Sequence, residues 1–256
     1  MRQKWLVNAI SDEHPSYVFC GPTAALMYDL AVGYDTFGKV HAIVPQSSHG
    51  SNSRLIQRHT YCYRDLYMIE QILITSPLQT TFDCARMLPF AQALAIADSA
   101  ARAGLVAPTD LSQFADGLGK VAGVKAARRV VAHMDARAEN GGESIARAAM
   151  IDLGFAVPEL QTEFVDPVSG TSYRVDFLWT RPDGKRVIGE LDGRQKYEDP
   201  SFMGGRDLVG VLTDERRRES RLTASGASVC RFSFADVCNR PRFERLLSLY
   251  GVPRAA

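Results

Sequence analysis

The chain has 256 residues, of which 46% are apolar and 23% are charged, and its formal net charge is +1. These values are typical of a globular protein with one large or two modest domains, and the near-neutral charge favours no nucleic-acid partner beyond local basic clusters. No apolar run approaches the roughly 18 residues of a membrane span, and residues 1–11 lack a small-residue cleavage site, so we expect neither a transmembrane helix nor a signal peptide.

The five cysteines are scattered, at positions 20, 62, 84, 230 and 238. None forms a Cys-x-x-Cys pair, which argues against a disulfide framework and against a zinc ribbon. The histidines at positions 41, 49 and 59 also lack the spacing of metal ligands. We therefore expect a protein of the reducing cytoplasm.

The first part of the chain, up to a Gly-containing break at residues 135–142, is predicted to be mixed and then helical. Residues 21–31 predict a short helix with Pro22 in its first turn. Three strands are predicted, over 40–44, 54–61 and 69–75. Four helices rich in Ala and Leu are predicted to follow, over 77–87, 89–103, 109–117 and 120–138.

The part after the break is predicted to be a compact α/β core. Its predicted elements are a helix at 143–153, strands at 160–166, 172–180 and 186–192, a charged helix at 214–224, a strand at 229–234 and a helix at 242–250. This order favours a mixed sheet with a helix on each face. We therefore predict two domains, residues 1–139, mixed and mostly helical, and residues 140–256.

The segment Pro182-Asp183-Gly184 predicts a tight turn between two apolar-rich strands. A three-residue loop places Arg181 opposite Lys185. The same register, counted back along both strands, places Asp176 opposite Glu190.

Alternation along these strands separates an apolar face from an acidic face. The apolar face carries Val175, Phe177, Trp179, Val187, Gly189 and Leu191. The other face carries Asp176, Glu190 and Asp192. Directly opposed side chains have Cβ atoms roughly 5 Å apart, so these carboxylates repel unless a divalent metal, a basic partner or a raised pKa neutralises them. A solvated acidic face is the alternative. An oxygen-only donor set suits Mg²⁺ or Mn²⁺ and not zinc.

Five segments of this part, taken in order, carry a resemblance to one nuclease family: a helix with Glu143, Arg-Val-Asp176, Gly-Glu190-Leu-Asp192-Gly, the charged segment 214–222, and Val-Cys-Arg231-Phe. Together they resemble the very-short-patch-repair (Vsr)-like endonuclease domains of the PD-(D/E)XK nuclease fold, over about residues 140–250. The resemblance implies a restriction-endonuclease-like mixed sheet flanked by helices. It also implies that Asp176 and Glu190, with the Leu191 carbonyl, hold a divalent metal that activates water for phosphodiester cleavage.

The other candidate site residues each have a structural alternative. Glu143 matches an acidic helical residue of the family, but it also suits a helix N-terminus. The family's lysine two residues after the second acid is replaced by Asp192, and Lys196 offers the nearest positive charge for the phosphate, although it can also pair with Glu198 or Asp199.

Three arginines are the candidate DNA contacts: Arg194, Arg218 and Arg221. The last two lie on the charged helix, where ion pairs at helical spacing explain most of the charge. Because no histidine follows His133, a histidine general base is excluded in this domain.

Three segments of the first domain, residues 18–26, 40–45 and 75–86, resemble AbiE-type (type IV toxin–antitoxin) antitoxin-like regions. The two resemblances predict a metal-dependent DNA endonuclease of phage defence or of a toxin–antitoxin pair, with DNA and a cognate toxin as partners. One alternative is a non-catalytic DNA-binding antitoxin or regulator on a nuclease-like scaffold. Another is an interaction module whose carboxylates bind a basic protein.

Overall fold

The computed structural model describes residues 2–33, 36, 38–44, 54–60, 65–118, 121–165, 170–192 and 226–255. Within these ranges the chain has an α/β fold with two mixed sheets flanked by helices, which confirms the predicted fold class. The chain divides into two compact units, Met1–Ser144 and Ile145–Ala256. None of the described helices is long and apolar enough to cross a membrane.

The first unit contains a five-stranded sheet and most of the helices. Its helices are α1 (Arg2–Glu13), α2 (Gly21–Met27), α3 (Pro77–Met87), α4 (Phe90–Arg102), α5 (Pro108–Gly117) and α6 (Val124–His133). Its strands are β1 (Val18–Phe19), β2 (Val40–Ile43), β3 (Ile56–His59), β4 (Leu66–Ile69) and β5 (Ile72–Thr75). A further helix, α7 (Gly141–Asp152), spans the boundary between the units.

The sheet of the first unit has the order β3-β2-β1-β5-β4. Strand β1 pairs parallel to β5 and antiparallel to β2, while β2 and β3 are parallel. Phe19 and Ile74 of the central strands are fully buried, together with Ala42 of β2. These residues form a core with Val7 of α1, which explains why α1 forms although the sequence was not predicted to be helical there.

The helix predicted over 21–31 ends earlier, at Met27, and two other predicted elements of this unit differ more from the structure. The predicted strand 69–75 is a hairpin of β4 and β5, because Glu70 and Gln71 turn the chain with φ values of 49° and 69°. The predicted helix 120–138 is the shorter α6. Its N-cap is Gly123, whose φ of 82° ends the preceding turn in a left-handed conformation.

The second unit contains a four-stranded sheet with the order β6-β7-β8-β9. The strands are β6 (Glu159–Val165), β7 (Ser172–Thr180), β8 (Arg186–Asp192) and β9 (Ser228–Ser233), and two helices follow, α8 (Phe234–Cys238) and α9 (Arg240–Leu249). β6–β7 and β7–β8 are antiparallel, whereas β8–β9 is parallel. The predicted helix 214–224 lies outside the described residues.

The β7–β8 hairpin has the predicted register. The amide of Arg181 donates to the carbonyl of Lys185 at 2.8 Å, and Phe177 pairs with Gly189. Gly184 has a φ of 77°, the left-handed conformation that the turn needs. The three-residue loop therefore sets which residues of the two strands face each other.

Both faces of this sheet are covered around the hairpin. On one face, Phe177 stacks on Phe232 at 5.9 Å between ring centroids, and Phe232 contacts Phe243 of α9 edge-on at 4.9 Å. On the other, Leu178 and Ile188 are buried in a second cluster. The face predicted to carry the carboxylates is therefore apolar close to the turn and acidic only farther along the strands.

Candidate functional site

Asp176 and Glu190, here called the carboxylate pair, lie at facing positions of β7 and β8. They are each one residue beyond the paired Phe177 and Gly189, so both side chains project from the same face of the sheet. Asp176 is partly buried, and the Glu190 side chain is only 12% exposed. The pair thus lies at the border of the apolar patch formed by Leu178 and Ile188.

The hydrogen-bond ladder between β7 and β8 changes at the carboxylate pair. The amide of Leu191 donates to Oδ2 of Asp176 at 2.9 Å, so that a side chain accepts the bond from this strand amide. The main-chain pairing of the two strands runs from Thr180 and Arg186 to Phe177 and Gly189. The bond fixes one oxygen of Asp176 toward β8 and orients the carboxylate.

Arg231 of β9 lies beside the carboxylates. Parallel pairing places it next to Glu190, on the same face of the sheet. Its Nη2 is 4.0 Å from Oε2 of Glu190, and its Nη1 is 3.8 Å from Oδ1 of Asp192. One guanidinium therefore lies between two carboxylates, and the chain itself supplies a cation that offsets their repulsion.

Strand β6 is distorted next to the same site. Gln161 lies between the pairs Leu160–Phe177 and Thr162–Val175, which places it opposite Asp176. Its φ is 53°, a left-handed conformation that is uncommon for a non-glycine residue in a strand. Such local strain is concentrated at functional sites in proteins.

The donor atoms of the carboxylate pair fit Mg²⁺ or Mn²⁺. Magnesium is usually held by one or two carboxylates and completes its shell with water and substrate phosphate. Within the described residues, no three His, Cys, Asp or Glu side chains are grouped so that they could hold a metal ion by themselves. The residues present thus match an ion that two carboxylates and a substrate share.

Glu143 is a helix-capping residue at the start of α7. Its Oε2 accepts from the amide of Glu139 at 2.8 Å, its Oε1 accepts from Nδ2 of Asn140 at 2.6 Å, and its own amide donates to Oδ1 of Asn140 at 3.0 Å. The side chain is buried. Glu143 belongs to the first unit and the carboxylate pair to the second.

Four of the predicted site residues lie outside the described residues: Lys196, Arg194, Arg218 and Arg221. Asp192, by contrast, ends β8 as an exposed residue, with Arg231 as its ionic neighbour.

The first unit contains a histidine pair that spacing along the sequence did not indicate. Nε2 of His59 lies 3.1 Å from Nδ1 of His41, across the parallel strands β2 and β3. Burial lowers the pKa of His41 to about 4, and the neighbouring His59 and Lys39 add to the effect. Burial also lowers the pKa of His59, against the opposing effect of Asp83. Both rings are therefore neutral at neutral pH.

Comparison with known proteins gives relatives but no activity. No protein-family model matches the chain, and no solved structure matches it. The chain is similar to the uncharacterized protein MT2308 of Mycobacterium tuberculosis strain CDC 1551 and the uncharacterized protein Rv2248 of strain H37Rv. Each is 32% identical over 223 residues, a match that covers 81% of this chain and 79% of the relative. The chain belongs to the family of these two Mycobacterium tuberculosis proteins.

Proposed function

We propose that the chain is a metal-dependent DNA endonuclease with a Vsr-like, restriction-endonuclease-like core. The observation that supports this most directly is the carboxylate pair, which faces one side of the sheet from adjacent strands at the point where their pairing ends. Two carboxylates with little solvent exposure are a costly arrangement, and an ion that they share offsets their repulsion.

The roles of the individual residues follow from their contacts. Asp176 and Glu190 would hold Mg²⁺ or Mn²⁺, which when bound supplies a water nucleophile and stabilises charge on the phosphate. The Leu191 amide keeps the Asp176 carboxylate oriented. Arg231, 4.0 Å from Glu190, offers the positive charge for the phosphate that the lysine absent at position 192 would otherwise provide.

A second candidate function is a non-catalytic DNA-binding antitoxin or regulator on the same scaffold. The contacts of Arg231 with Glu190 and Asp192 favour it, because an internal cation already offsets the charge of these carboxylates. In that case the site does not need a metal. A non-catalytic protein also tolerates Asp192 at the position where the PD-(D/E)XK nuclease motif has a lysine.

The antitoxin-like part of the proposal rests on the resemblance of three segments of the first unit, and two of them, residues 18–26 and 40–45, are in contact. The amide of Cys20 donates to the carbonyl of His41 at 3.1 Å, and the amide of His41 donates to Oγ1 of Thr23 at 2.8 Å. Just after the first segment, the hydroxyl of Tyr28 donates to the carbonyl of Thr75, the first residue of the third segment, at 2.9 Å. A cognate toxin as partner and a place in phage defence are part of the proposal.

The free thiols of Cys20, Cys84, Cys230 and Cys238 support a reducing, cytoplasmic location as part of the same proposal.

The decisive experiment is nicking of supercoiled plasmid by the purified chain in Mg²⁺, in Mn²⁺ and in EDTA. We expect metal-dependent nicking that falls roughly a hundredfold or more in Asp176→Asn and in Glu190→Gln, because changes outside the metal's own ligands already cost about 10–100-fold. The matched control is Glu159→Gln, which removes an exposed carboxylate from β6 of the same sheet and should nick normally.

Two results would contradict the endonuclease. One is nicking that persists in EDTA, and the other is unchanged nicking in Asp176→Asn. Absence of nicking in the unmodified chain together with retained DNA binding would instead support the regulator.

A further inference from the structure

A cleft of about 330 Å³ opens between β9 and α9, and arginines dominate its lining. This volume is at the small end of the range of ligand pockets, about 300–1,000 Å³. The lining residues are Arg231, Asp236, Arg242, Arg245, Leu246 and Leu249. This arginine cleft was not indicated by the sequence, because its members come from three separate elements and include no repeated motif.

The single carboxylate in the lining offsets one of the three arginines. Oδ1 of Asp236 lies 2.7 Å from Nε of Arg242. Hydrogen bonds from the hydroxyl and the amide of Ser233 lower the pKa of Asp236, and Arg242 adds to the effect. Arg245 is exposed, and within the described residues it forms no ion pair with a carboxylate. The lining thus has more arginines than carboxylates, but Arg231 also lies beside Glu190 and Asp192, so Arg245 is the lining arginine that is available to an anion.

Arg231 connects the arginine cleft to the carboxylate pair. This residue borders the cleft, and its Nη2 lies 4.0 Å from Oε2 of Glu190. An anion bound in the cleft would therefore be close to the carboxylates. A guanidinium binds phosphate oxygens in a two-point geometry, which makes phosphate the anion best suited to several arginines.

The apolar part of the lining distinguishes a nucleotide from a free anion. Leu249 is 82% exposed, and it lies in the wall of the cleft with Leu246. A free phosphate ion has no apolar surface to place against a leucine, whereas the sugar of a nucleic-acid strand does. The combination of arginines with the exposed side chain of Leu249 suits a DNA strand.

We propose that the arginine cleft binds a backbone phosphate of DNA next to the carboxylate pair, with Arg245 as the main contact. That this phosphate lies next to the phosphodiester bond that is cleaved rests on the proposed endonuclease. In that reaction the cleft would orient the DNA strand. Phosphate contacts of this kind fix the position of a protein on DNA without reading its sequence.

The test is DNA binding in EDTA, where no metal-dependent cleavage occurs. The probes are two short fluorescein-labelled duplexes of different sequence, and fluorescence anisotropy gives the affinity at several salt concentrations. We expect Arg245→Gln to weaken binding to both duplexes by roughly tenfold and to reduce the slope of log K against log salt by about 0.9. Arg245→Glu should weaken binding more.

The matched control is Lys185→Gln, which removes one positive charge from the exposed β7–β8 turn and should leave the affinity unchanged. Circular dichroism establishes that each variant is folded. Binding that is the same in Arg245→Glu as in the unmodified chain would overturn the proposal, as would an unmodified chain that binds neither duplex.

The cleft and the endonuclease can fail separately. If the chain nicks DNA but its DNA affinity does not depend on Arg245, the endonuclease proposal stands and the proposed phosphate contact is refuted. If DNA binding depends on Arg245 but the chain does not nick DNA, the proposed phosphate contact stands and the regulator is favoured over the endonuclease.

Discussion

Replacing Gly189 by alanine tests the packing that places Glu190. A Cβ atom at this position would lie 3.0 Å from Cζ3 of Trp179 and 3.2 Å from Cβ of Phe177. Neither neighbour can easily move. The Phe177 atom is attached directly to β7, and Nε1 of Trp179 donates to the carbonyl of Ala156 at 2.8 Å.

The cost of the substitution follows from these contacts. Adding a methyl group to a well-packed core costs about 1–3 kcal/mol. Gly→Ala in a strand regains roughly 0.5–1 kcal/mol, because the unfolded chain loses conformational freedom. The centres of these two ranges differ by a net loss of about 1 kcal/mol, which for a unit of this size lowers Tm by roughly 5 °C.

The assay is urea unfolding followed by tryptophan fluorescence. Trp179 is 2% exposed and Trp5 is 78% exposed, so the change in emission reports mainly on the second unit. The control is Gly117→Ala at the end of α5 in the first unit, where no atom lies within 4 Å of the added Cβ, and it should leave the transition reported by Trp179 unchanged. A Gly189→Ala variant within about 0.5 kcal/mol of the unmodified chain would refute the packing argument.

Two further predictions concern the first unit and are measured by urea unfolding followed by circular dichroism, because Trp5 of this unit is exposed. Glu143→Ala should lower the free energy of unfolding of the first unit by about 1 kcal/mol, because the Glu139 amide and the Asn140 side chain lose their acceptor. An unchanged free energy of unfolding would contradict the capping role of Glu143. Because the pKa of His41 is lowered from 6.5 to about 4, the unfolded state binds the proton more readily. Stability should thus be full above about pH 6.5 and fall as the pH drops toward 4, less so in His41→Asn. A drop of equal size in that variant would refute this assignment.

Local signals in the sequence were sufficient for the hairpin that holds the carboxylate pair. The segment Pro182-Asp183-Gly184 determines the loop length, and the loop length determines the register, because side chains alternate with a period of two. The structure therefore has the predicted pairing, with Phe177 opposite Gly189. The boundaries of β6, β7 and β8 follow from the same alternation.

Contacts between segments that are distant in the sequence could not be predicted from such local signals. Arg231 pairs with Glu190 across a parallel ladder, and no turn residue connects the two strands. The hairpin of β4 and β5 was missed because Glu70 and Gln71 have left-handed φ values, which sequence patterns assign to Gly or Asn. The His41–His59 pair depends likewise on the parallel register of β2 and β3.

The two neighbours of β8 are reached by very different lengths of chain, and this determines the order in which the site can assemble. Pairing with β7 closes a loop of three residues, whereas pairing with β9 must close the chain between Asp192 and Ser228. Short closures lose less chain entropy and form sooner. During folding, Asp176 and Glu190 are therefore brought together before Arg231 reaches them. The acidic hairpin must form against its own repulsion, and dissolved salt, by screening that repulsion, should ease this step.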